Sequence, residues 1–168
     1  MAGYVIHIAI AKKYLEEHPL ENEEEFIQGV IFPDKTDDKK KTHYGKSPAY
    51  TNLKTFLENN KLDTSFKRGH FMHLITDYLF YNYYLESFSK KYIYHDYDVL
   101  NKELIKKYEI KIPENVKNDI FFETGTTHIL NMELACKIID EISQVDLEQA
   151  QSEIMKNSKK WSTYKNIV

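Results

Sequence analysis

On a helix each residue advances by about 100°, so His70, His73 and Asp77 fall within an arc of about 60° and leave the helix on one face. Around them lie Phe71, Met72, Leu74, Ile75, Leu79 and Phe80. An ionised aspartate in such surroundings costs several kcal/mol unless a cation or strong donors meet it. Either a Lys or Arg of a neighbouring helix pairs with Asp77 while His73 bonds a carbonyl, or a metal ion supplies the charge. Recurrence favours the metal. His7 is the one polar residue in the run Val5-Ile6-His7-Ile8-Ala9-Ile10, again on a helix of core character. Asp34, just past a helix end, and His43, in a polar loop, complete a set of three histidines and two aspartates. These mixed N and O donors suit zinc or a similar divalent ion. With carboxylates able to bridge, the set could hold two ions, an arrangement suited to hydrolysing phosphate esters by metal-activated water.

The order of these residues resembles the zinc-dependent phospholipase C family, whose helical fold is shared with the single-strand-specific zinc nucleases. The likeness is carried by His7 on an early helix, by Gly29-Val30-Ile31-Phe32-Pro33-Asp34 (Gly-x-x-x-Pro-Asp), by His43-Tyr44, and by Gly69 to Asp77 (Gly-x-x-x-His-x-x-x-Asp), so it spans residues 7–77. The resemblance implies that Asp34, His43, His73 and Asp77 bind one zinc, that His7 and Asp77 bind a second with Asp77 bridging, and that Asp34 is the general base. Between one and three zinc ions, or another divalent metal, are expected on this basis. The family places a further His after the aspartate where this chain has Tyr81 and Tyr83. Its later His-x-x-x-Glu pair has only approximate stand-ins, His95 with Asp98 or His128 with Glu123 or Glu133. His70, His95 and His128 are therefore additional ligand or substrate-binding candidates. In secreted members the N-terminal amine is itself a ligand; whether an amine at Ala2 reaches this site stays open. His95-Asp96 is also similar to the adjacent pair of HD-domain phosphohydrolases, but it reads more simply as an inter-helix loop.

These side chains need rigid elements to hold them. Glycine and proline are scarce, five and four, and apolar residues recur with helical period, which predicts an all-α, single-domain bundle over residues 1–168. Six to eight helices are expected around a buried central one at about 65–90. The others are expected at about 4–17, from Asn22 (N-cap, with Glu25 three residues on) to Phe32, from Ser47-Pro48 to about 60, at 98–108, at 113–142 with a break near Gly125, and at 146–160. The stretch Pro33 to Ser47 is a polar, lysine-rich loop. The rings of Tyr78, Phe80, Tyr81, Tyr83 and Tyr84 read first as core and second as a pocket lining.

Composition narrows the partners. A formal charge of −3 offers no basic excess for a stable nucleic-acid complex, although lysines cluster at 39–41 and 159–160, the latter reading as a solvated helix end. The lone Cys136 allows no intrachain disulfide and is expected as a buried thiol. The start of the chain lacks the pattern of a secretory signal and no apolar run is long enough for a membrane span, so a cytoplasmic location is expected. The leading expectation is a metal-dependent phosphoesterase acting on a small ester of nucleotide, oligonucleotide or lipid-headgroup type. Its rival is a degenerate, non-catalytic member that binds a metal or a phosphate.

Overall fold

The computed structural model describes residues 2–165 and is all-helical, with no strand among the described residues. Among the described residues eight α-helices form one compact domain: α1 (Tyr4–Glu16), α2 (Glu23–Ile31), α3 (Lys39–His43), α4 (Leu53–Asn59), α5 (Ser65–Leu79), α6 (Lys90–Lys107), α7 (Met132–Ile142) and α8 (Leu147–Met155). Most starts are capped by a side chain that accepts a backbone N–H: Asn22 from Glu25, Asn52 from Thr55, Thr64 from Lys67, Asn131 from Leu134 and Asp146 from Gln149. Each such cap contributes about 0.5–2 kcal/mol.

Helix α5 is the axis of the bundle, buried at every position from Gly69 to Leu79 and packed against α1, α2, α4 and α8. Its closest partner is α2, and two glycines explain the approach. A Cβ on Gly29 would run into the Phe66 carbonyl, and one on Gly69 into the Phe26 carbonyl. The two backbones therefore touch, and the α2 carbonyls come within reach of side chains on α5.

Several boundaries differ from the sequence expectation. The central helix stops at Leu79 and unwinds through a π-turn over Phe80–Tyr84, closed by Leu85 N–H to the Phe80 carbonyl at 3.0 Å. Asn82 fixes that turn, donating to the Tyr78 carbonyl at 2.9 Å and accepting from Lys165 N–H at 2.7 Å. Pro48–Tyr50 is a separate 3-10 turn, and α4 begins only after Asn52. Helix α6 starts at Lys90, so His95-Asp96 lies within a helix and not in a loop. The span 113–142 is helical only as a 3-10 turn at Glu114–Asp119 and as α7. The stretch between them is held by Asp96, whose buried carboxylate accepts the N–H groups of His128, Ile129 and Leu130 at 2.9, 2.7 and 2.8 Å. Helix α8 ends at Met155, with Asn157 in the left-handed region (φ 60°).

Tyr78, Phe80 and Tyr81 are core residues, while Tyr83 is exposed. Trp161 is buried beside Tyr78, so the C-terminal lysines flank an ordered anchor. Cys136 is half-buried, not a fully buried thiol, because α7 turns only Ala135, Ile138, Ile139 and Ile142 fully inward. Among the described residues no helix is long and apolar enough to cross a membrane.

Candidate metal centre

Helix α5 presents His73 and Asp77 one turn apart, and the α2–α5 contact sets the histidine. His73 Nδ1 donates to the Val30 carbonyl at 2.6 Å. His43, at the end of the short α3, is set in the same way, its Nδ1 donating to the Lys39 carbonyl at 2.8 Å. A carbonyl only accepts, so both neutral rings carry their proton on Nδ1 and turn an Nε2 lone pair inward. Those two Nε2 atoms lie 3.2 Å apart. Asp77 Oδ2 faces both, at 3.1 Å from His43 and 3.2 Å from His73.

Asp34 completes the group. It ends the 3-10 turn Phe32–Asp34, which Pro33 opens once α2 can no longer continue. The turn is fastened by the Tyr4 hydroxyl donating to the Asp34 carbonyl at 3.0 Å and by Thr42 Oγ1 donating to the Pro33 carbonyl at 2.9 Å. The Asp34 carboxylate stands 3.7 Å from His43 Nε2 and 3.7 Å from His73 Nε2. It is buried, neither of its oxygens accepts a hydrogen bond, and Oδ1 lies 3.9 Å from Lys39 Nζ.

Tetrahedral zinc with bonds of about 2.0–2.2 Å places its ligand atoms about 3.3–3.6 Å from one another. The observed separations of 3.1 to 3.7 Å bracket that range, and one donor atom from each of Asp34, His43, His73 and Asp77 lies within 4.8 Å of the others. Without a cation, two lone pairs and two carboxylates would converge in a buried space. These four residues could hold a metal ion.

His7 meets the group from α1. Its Nε2 is 3.1 Å from Asp77 Oδ1, its ring stacks on His73 at 3.8 Å and 6°, and its Nδ1 has no partner. The same Oδ1 accepts the Ala2 N–H at 3.2 Å. Gly3, at φ 81° and packed under the Tyr97 ring, lets the chain turn from Ala2 into α1.

The electrostatics follow from burial and these neighbours. Burial, with His73 alongside, pushes His7 down to about 4. For His73 burial acts downward too, but the Asp77 and Asp34 carboxylates outweigh it and raise the ring. Burial alone would raise Asp77; the positive N-terminal end of the chain and the imidazoles of His73, His7 and His43 hold it well below the ordinary carboxylate value.

The other sequence candidates lie outside this group. His70 donates Nε2–H to the Thr42 carbonyl at 2.9 Å, and burial lowers it to about 3. It ties α5 to the strap that carries His43. His95 and His128 pair edge to face at 6.0 Å, and His128 stacks on Tyr92 at 4.4 Å. Neither belongs to a clustered ligand set among the described residues. Asp96 has its carboxylate committed to three amides, as described above, which removes the HD-type reading. Of the two tyrosines after Asp77, Tyr81 is buried and is raised by burial and then by Asp77, whereas Tyr83 turns away to donate to the Lys160 carbonyl at 2.8 Å. Sequence reasoning missed Tyr4, whose spacing three residues before His7 on α1 was the available signal.

No family model matches the chain, and neither a curated protein nor a solved structure is found similar to it.

Proposed function

We propose that this chain is a metal-dependent hydrolase of phosphate esters, its ion held by Asp34, His43, His73 and Asp77. The observation that carries the proposal is the unbonded Asp34 carboxylate facing two Nε2 lone pairs. A bound divalent ion would supply Lewis acidity toward water and a phosphoryl oxygen. His43 and His73 are fixed by the Lys39 and Val30 carbonyls, so they orient and do not shuttle protons. Neither Asp34 oxygen accepts a hydrogen bond, and Oδ1 meets Lys39 Nζ at the long distance of 3.9 Å, so Asp34 is the group able to take a proton from an attacking water and pass it on.

A cavity of about 260 Å³ lined by Gly3, Tyr4, Tyr94, Tyr97, Asp98 and Asp119, among others, shares the Tyr4 wall with this centre. Another cavity, of about 850 Å³ between α1, α2 and residues 109–115, contains none of the candidate ligands and is not assigned to the substrate. The carboxylates of Asp98 and Asp119 disfavour a polyanion such as an oligonucleotide, leaving a small ester as the substrate class.

A second reading has its own support. Four protein ligands, all buried, resemble a closed structural site more than an open catalytic one. Hydrolysis of bis(p-nitrophenyl) phosphate and p-nitrophenyl phosphate by zinc-loaded protein separates the two. The hydrolase reading expects turnover that chelator removes and that Asp34→Asn lowers by about 10²–10⁴-fold. A protein whose melting temperature rises with zinc but which turns over neither ester supports the structural role.

A further inference from the structure

We infer that the centre holds one ion per chain and that His7 is a positioning donor to Asp77, not the ligand of a second ion. The inference rests on the metal-binding reading above and departs from the bridged pair of ions that the sequence order implies.

The three histidines differ in what holds their second nitrogen. His43 and His73 each give Nδ1–H to a backbone carbonyl, which frees Nε2 as a lone pair. His7 has no acceptor at Nδ1. Its proton therefore belongs on Nε2, where Asp77 Oδ1 accepts it at 3.1 Å. That tautomer cannot ligate through Nε2.

The surroundings of Oδ1 agree. It also accepts the Ala2 amide N–H at 3.2 Å, which is a donor and not a ligand. Among the described residues a second ion beside Oδ1 would find only His7 and that oxygen, fewer than the three protein ligands of an open zinc site. Among the described residues the only clustered ligand set is Asp34, His43, His73 and Asp77. Asp77 is thus divided: Oδ1 takes two donors, which aims Oδ2 at the two imidazoles. The parallel stack on His73 fixes the His7 ring for this task.

The test is a zinc titration of the full chain, with bound metal counted by native mass spectrometry and elemental analysis at saturation. The expected count is one. His7→Ala should keep that count while weakening affinity about 10–100-fold, the usual cost of losing a residue that orients a ligand. His7→Gln, which retains a donor where Nε2 stands, should recover most of the loss; it also serves if the alanine variant does not fold. A saturating count of two in the wild type, or a count that falls with His7→Gln, overturns the inference. A count of zero removes the metal-binding reading itself, and so is distinguished from failure of the one-ion claim.

Discussion

Asp77→Asn separates the cost of the empty centre from the gain of filling it. Without metal, and at a pH where the rings are neutral so that the imidazole contribution to holding Asp77 ionised is weakest, Oδ2 confronts two Nε2 lone pairs at 3.1 and 3.2 Å. Asparagine has nearly the same shape. With its amide nitrogen in the Oδ2 position it donates to both Nε2 atoms, while its oxygen still accepts from His7 and Ala2. Two new hydrogen bonds at about 0.5–1.5 kcal/mol each give roughly 1–3 kcal/mol. In a domain of this size 1 kcal/mol moves the melting temperature by about 2–4 °C. The metal-free variant should therefore melt roughly 2–12 °C above the metal-free wild type. The assay is thermal unfolding at pH 8 in chelator, where His73 is least protonated, repeated with excess zinc. A ligand at about 1,000 times its Kd adds about 4 kcal/mol, so zinc should raise the wild type by roughly 8–16 °C and leave the variant unmoved. If the metal-free variant melts below the wild type, or gains as much from zinc, the assigned protonation and ligand roles are wrong.

Other perturbations have defined outcomes. His73→Ala should abolish zinc binding and cost about 1–3 kcal/mol in urea unfolding, because the buried Val30 carbonyl loses its donor. Gly69→Ala should destabilise by about 1–3 kcal/mol or more, since its methyl meets the Phe26 carbonyl and must push α2 from α5; a neutral result would mean the helices do not touch. Asp96→Asn should cost a few kcal/mol and speed amide exchange at residues 128–130, since an amide group cannot accept at both ends. His70 has its folded value lowered to about 3. Its contribution is fully present above the unfolded value of about 6.5 and is lost as pH falls toward 3, at up to about 1.4 kcal/mol per unit. Metal-free urea midpoints should fall from pH 7 to pH 5, and less steeply in His70→Gln. His73, raised, works in the opposite sense and loses its contribution as pH climbs past 6.5.

The polar face of α5 was legible because His73 and Asp77 interrupt an otherwise apolar helix, and His7 for the same reason. Asp34 and His43 were legible only through their order along the chain. The role of His7 was not, since it turns on a missing acceptor at Nδ1 and on the Ala2 amide, and backbone groups leave no trace in residue type. Helix α6 was placed late because Asp96 sits in its buried stripe with Ile93, Tyr97, Leu100 and Leu104, which disguised the helical period. The stretch around Gly125 shows in the sequence only as a break in a helix over 113–142, because the anchor that makes it a loop, Asp96, lies more than thirty residues away. The early end of α5 depends on Asn82 bonding the tail at Lys165, a long-range contact that local propensity cannot report.

A crystal of the full chain exposed to zinc, measured at the zinc absorption edge, tests the centre most directly. One anomalous peak is expected about 2.0–2.2 Å from Oδ2 of Asp77, Nε2 of His43, Nε2 of His73 and an oxygen of Asp34. No peak among those four atoms, or a peak only elsewhere on the chain, would contradict it.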